Sequence, residues 1–142
     1  MGNRNNIIVH QPSYVGEDLP PLYLYSHWTG SELVKVVVNA IDKTDSQQLG
    51  TPDTFTRILF CEMIKNDVDG DRGFGIAVGF PPDQDANNIP IHIHWDTSST
   101  DNKVGWIIEF PLVIKYGGLE FTAEQFVEAG RKGNFIGGPL NV

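Results

Sequence analysis

The sequence predicts an α+β fold in which one antiparallel β-sheet carries helices packed on one of its faces. Three observations carry this. Apolar residues recur at helical spacing behind recognisable helix starts, the periodicity switches to two from Gly73 onward, and the strands fall into hairpins instead of alternating with helices. With 142 residues, 40% hydrophobic and 20% charged, the chain is sized for a single domain spanning 1–142 that builds its own core.

The elements follow in order. Residues 6 to 10 form a short strand, and QPSYVGEDLPP after it is a loop of turn formers. Leu22 to Trp28 alternates, with Leu22, Leu24 and Trp28 on the core face and Tyr23, Tyr25 and His27 on the other. Thr29 and Glu32 match a capping box, and Leu33, Val36, Val37, Ala40 and Ile41 place a helix over 30–43. Thr51 then serves as N-cap with Pro52 at the first helical position, and Phe55, Ile58, Leu59 and Met63 form the buried stripe. Glu62 falls on the same stripe, so it sits at the core rim or needs a partner. Cys61, inside an apolar run and without a disulfide partner, reads as a buried, reduced thiol.

In GFGIAVGF, Phe74, Ile76, Val78 and Phe80 share one face and leave Gly73, Gly75, Ala77 and Gly79 on the other, where a ligand or a packed neighbour can approach closely. IPIHIHW repeats the alternation, with Ile89, Ile91, Ile93 and Trp95 opposed to His92 and His94. VGWIIEF is expected to pair with it across the polar turn DTSSTDN. LVIKY, Gly117-Gly118 and LEF make a last short hairpin, and a Thr122/Gln125 capping box opens a helix through about Ala129, followed by an irregular tail over about 130–142.

A formal charge of −8 argues against an extended nucleic-acid footprint, which needs clustered Lys and Arg. The N-terminal MGNRNNIIVH lacks the apolar core of a signal peptide, and no stretch approaches the ~18 to 20 apolar residues that cross a bilayer. The expectation is a soluble intracellular protein without membrane contact.

Three constellations bear on chemistry. His92, His94 and Asp96 alternate, so two imidazoles and a carboxylate on one strand face can converge on Zn or Mn. The remaining histidines, His10 and His27, are distant in sequence, and the competing reading is a solvent-facing strand whose histidines are merely polar. Asp67, Asp69 and Asp71 alternate as at the start of an EF-hand loop, but Gly70 precedes the third aspartate and Val78 stands where the bidentate glutamate belongs, so a solvated turn fits better. Finally, the strand-to-helix joint YLYSHWTGSEL offers backbone N–H groups to a small anion, with His27 as donor and Tyr25 or Trp28 as stacking surface. Glu32 opposes an anion there, and helix capping alone accounts for the TGSE half. The sequence holds no nucleophile elbow and no P-loop.

MGNRNNIIVH, YLYSHWTGSEL, TRILFCEMI, GFGIAV and FTAEQFVEA resemble, in this order, a family of small uncharacterised bacteriophage and bacterial proteins. The resemblance covers most of the chain and departs over 81–118, where IHIHWD replaces a plainer apolar strand. It implies a phage-associated protein of the host cytoplasm, and it adds Arg57 to the positions Tyr25, His27, Trp28, Gly30 and Glu62 that match the motifs. HIHW…GWIIEF is also similar to a short segment of some phage structural proteins.

The leading expectation is a non-enzymatic binding protein acting in counter-defence. It takes a small anionic, nucleotide-like molecule at Tyr23, Tyr25, His27, Trp28, Gly30, Arg57 and Glu62, or blocks a host protein, and uses no cofactor. The alternatives are a metal-dependent hydrolase built on His92, His94 and Asp96, and a self-associating module of a phage particle.

Overall fold

The computed structural model describes residues 3–12, 19–68, 73–98, 103–104, 107–108, 110–133 and 135. Asp69, Gly70 and Asp71 of the EF-hand-like stretch, Trp106 and most of the expected irregular tail lie outside them. The architecture is α+β, as the periodicity predicts. A six-stranded sheet has the order β3-β2-β1-β4-β7-β8, built from β1 (Asn5–Val9), β2 (Leu22–Ser26), β3 (Phe74–Val78), β4 (Ile91–Trp95), β7 (Leu112–Tyr116) and β8 (Leu119–Phe121). Every neighbouring pair is antiparallel except β1 and β4, which run parallel.

One sheet face is covered. Ile7, Val9, Leu24, Ile91, Ile93, Trp95, Leu112, Ile114 and Phe121 form a core with Leu33, Val37 and Ile41 of α1 (Leu33–Lys43), Phe55, Leu59 and Met63 of α3 (Pro52–Ile64), and Phe126 and Val127 of α4 (Ala123–Lys132). The period of two sends the intervening residues of the central strands to the opposite, open face: Ile8 on β1, His92 and His94 on β4, Val113 and Lys115 on β7. No helix among the described residues is long and apolar enough to cross a membrane.

The last helix starts as its sequence dictates. Thr122 Oγ1 accepts from the Gln125 N–H at 3.2 Å, and Gln125 Oε1 accepts from the Thr122 N–H at 2.9 Å. The helix then runs three residues beyond Ala129 and stops at Gly133, whose positive φ of 64° suits a helix end.

Elsewhere the local reading is corrected. Thr29 does not cap; its Oγ1 lies 2.9 Å from Ser26 Oγ, and Glu32 pairs with Lys35 at 3.3 Å. A 3-10 turn, Gly30–Glu32, leads into α1 instead. Thr51 does stand at the N-cap of α3 with Pro52 at the first helical position, as expected, but its hydroxyl donates back to the Gln47 carbonyl instead of capping, beside an additional one-turn helix, α2 (Ser46–Leu49). Trp28 does not seal the core. The strand ends at Ser26, alternation ends with it, and the indole is 59% exposed. Cys61 lies on the outer side of α3 and is exposed.

The expected pairing of IHIHW with VGWIIEF is also replaced. β4 pairs with β7 in the register Trp95↔Leu112 and Ile93↔Ile114, which brings apolar residues of both strands onto the core face. Lys103–Val104 (β5) and Ile107–Ile108 (β6) form a separate two-stranded ribbon within that connection.

The glycine face of β3 is filled by packing. The Tyr25 phenol occupies the space that a Cβ on Gly75 would need, and Gly73, at φ 84°, lets His27 and Trp28 approach its backbone.

Candidate metal centre

The open face gathers His10, His92 and His94. His92 and His94 share that face because they are two apart on β4, as the sequence indicates. His10 joins them through the parallel pairing: Ile8 faces His92 and Val9 faces Ile93, and the ladder continues with the His10 N–H donating to the Ile93 carbonyl at 2.9 Å. The residue that follows β1, His10, is thereby set beside His94.

The three rings form a tight cluster. His10 Nε2 and His92 Nδ1 are 2.8 Å apart, a hydrogen bond in which either ring can supply the proton. His10 and His94 stack with centroids 4.0 Å apart and planes 7° from parallel. One ring nitrogen from each residue lies within 4.8 Å of the other two. Tetrahedral zinc with ~2.0–2.1 Å Zn–N bonds holds its ligand nitrogens ~3.3 Å apart, so the three nitrogens lie near the spacing one ion requires, and His10 and His94 turn out of their parallel stack to aim at it.

Electrostatics favours the ligand form of each ring. Burial lowers the His10 pKa first, followed by the positive charges of His92 and Lys115. Burial and Lys115 lower His92 in the same way. His94 is lowered to about 4, by burial and then by His10, Lys115 and His92. All three are half-buried, so they remain within reach of solvent ions. A metal binds the neutral imidazole, and these rings stay neutral near pH 7.

Asp96, expected as the third ligand, is not part of this group. β4 ends at Trp95, and the exposed Asp96 carboxylate turns to accept from the Ser98 N–H at 3.0 Å and the Ser98 hydroxyl at 2.5 Å. His10 stands with His92 and His94 instead. The signal was present in NNIIVH, where buried Ile7 and Val9 send Ile8 and His10 to the face that His92 and His94 share, but the alternation reveals this only once β1 lies beside β4.

The residues expected to bind an anion at the strand-to-helix joint are divided. Trp28 and Glu62 line a cavity of about 990 Å3 with Thr29, Glu32, Lys35, Asn39, Lys65 and Phe74. His27 instead packs edge-on against Tyr25, centroids 5.5 Å apart, and Tyr23 shares the Tyr25 side of β2. Arg57 is exposed on α3, in the helical layer, and among the described residues no hydrogen bond or ion pair joins it to His27. Gly30 is buried, and its N–H donates to the Asn3 carbonyl at 2.7 Å, which occupies a donor that an anion would have used.

Glu62, which lines the cavity, is buried with both oxygens engaged, one by Lys43 and the other by Lys65 at 2.6 Å. Although burial opposes its charge, the two ammonium groups lower its pKa below the usual carboxylate value. No protein-family model, curated protein or solved structure matches this chain.

Proposed function

We propose that this chain is a metalloprotein in which His10, His92 and His94 hold one zinc-type ion. The observation that carries it is the gathering of three half-buried imidazoles, two on β4 and one directly after β1, with a ring nitrogen of each within 4.8 Å of the others. An all-imidazole set suits zinc, and it argues against manganese, which prefers carboxylate and water ligands. Three protein ligands leave a tetrahedral ion one open position, the arrangement that lowers the pKa of bound water and supports hydrolysis. The reading is thus a metal-dependent hydrolase, with His10 in the role first given to Asp96.

Titrating Zn2+ into metal-free protein by calorimetry tests it. The expected result is one ion per chain, abolished in the His10→Ala/His92→Ala/His94→Ala variant. Equal binding by that variant, or no stoichiometric binding by the parent chain, overturns the proposal.

A second reading, the binding protein for a small ligand, is supported by the cavity beside Trp28. Its lining carries Glu32, Glu62 and Asp67 against Lys35 and Lys65, which gives no preference for an anion over a neutral aromatic molecule. A phage origin and counter-defence are carried by the motif resemblance. Calorimetry with a panel of nucleotides and nucleosides, repeated with Trp28→Ala, decides whether this cavity binds them; heat that Trp28→Ala leaves unchanged rejects the reading.

A further inference from the structure

Lys115 stands directly opposite His92 in the β4–β7 ladder, so the two side chains project from the same open face as neighbours. The lysine is exposed, and among the described residues it forms no salt bridge. Its positive charge acts on His10, His92 and His94 alike. Glu120, opposite Lys115 on β8, lies one strand further from the histidines. Among the described residues no carboxylate belongs to the cluster.

The charge balance is therefore incomplete. Three neutral imidazoles leave the two positive charges of a bound Zn2+ uncompensated, and Lys115 brings an ammonium beside them whose opposing carboxylate across the ladder, Glu120, stands on the side away from the histidines. A metal ion and an ammonium group repel unless an anion lies between them, and a dianion compensates this set better than a monoanion. We propose that the open metal position takes a phosphate group, free or as a monoester, with one oxygen on the metal and another held by Lys115. The proposal rests on the metal reading above and names the ligand class of the same site. Lys115 acts here as a positioning residue, because its charge fixes the phosphate without ligating the metal.

Cobalt-loaded protein, freed of excess metal by gel filtration, provides the test through its visible absorption. Inorganic phosphate and phenyl phosphate are titrated separately, with acetate and imidazole as comparison ligands. The expected result is a spectral shift with phosphate, and with phenyl phosphate if the site accepts an ester. Lys115→Met should weaken phosphate at least tenfold while leaving cobalt and imidazole affinity equal or higher. A response to inorganic phosphate alone restricts the proposal to the free ion. Cobalt binding without a response to either phosphate, an unchanged phosphate affinity in Lys115→Met, or acetate binding as tightly as phosphate overturns it. Failure to bind cobalt at all overturns the metal reading and this proposal together, at a separate and earlier step.

Discussion

His10 and His92, 82 positions apart in the chain, meet through ring nitrogens 2.8 Å apart on the open face of the sheet. The contact depends on the parallel pairing of β1 and β4, the only parallel pair in the six-stranded sheet. It brings a third imidazole to the two strand histidines.

The first prediction separates ligands from bystanders. His10→Ala should weaken Zn2+ binding by more than the ~10–100-fold that accompanies loss of an outer-shell partner. Asp96→Asn should leave it unchanged, because that carboxylate is turned to Ser98. Calorimetric titration of both variants checks the contrast, and a large loss in Asp96→Asn would restore the aspartate as ligand. The His10 variant should fold normally, since the ring lies outside the core cluster.

What the sequence reveals and conceals follows from the range of each interaction. Alternation assigns His92 and His94 to one face, and the Thr122/Gln125 box locates a helix start, because each signal spans only a few residues. Partners from distant segments are harder to read. Nothing local tells β4 to pair with LVIKY rather than VGWIIEF, both of which alternate. Likewise, NNIIVH does not reveal that His10 will lie beside His94 until the strand order is known. Trp28 departs for another reason: it continues the Leu22/Leu24 spacing, but the strand stops at Ser26 and the indole two residues on is 59% exposed.

The second prediction concerns pH. The ordinary histidine pKa is about 6.5, and His94 is lowered to about 4 in the folded chain, with His10 and His92 also lowered. Between these limits the unfolded chain binds more protons than the folded one, so stability rises with pH in this window and falls as pH drops from about 6.5 toward 4. Solvent screening of half-buried rings limits the effect to about 1–2 kcal/mol. Urea unfolding of metal-free protein between pH 6.5 and 4.5 should show this slope, and replacing all three histidines with Gln should flatten it. An unchanged slope in that variant would assign the acid sensitivity to other groups.

The third prediction exploits the packing of Tyr25 on Gly75. Gly75→Ala places a methyl group where the phenol lies, and displacement of the ring should destabilise the fold by about 1–3 kcal/mol. Tyr25→Leu removes that obstacle, so adding Gly75→Ala to Tyr25→Leu should cost much less than it does in the parent chain. Denaturant midpoints of the four proteins complete the cycle. Additive losses would show that Gly75 is required by its own backbone and not by the ring.

The fourth prediction addresses Glu62, whose side chain is 1% exposed while Lys43 and Lys65 remain 55% and 49% exposed. Removing one lysine leaves the other to satisfy the carboxylate, and the displaced partner loses little, so Lys43→Met or Lys65→Met alone should cost about 1 kcal/mol or less. Removing both strands a buried charge, which costs about 3–5 kcal/mol when a buried pair is broken from one side. The double variant should therefore lose well over the sum of the single losses. Its remaining carboxylate should also take up a proton at higher pH, because the two cations that lower its pKa are gone. In the double variant stability should then increase as pH falls through that raised pKa, the reverse of the parent chain, where acid removes the stabilising charge. Replacing Glu62 with Gln in the double variant should recover most of the stability. Denaturant unfolding of this series at two pH values measures both effects, and simple additivity would mean that the carboxylate finds water once its lysines are removed.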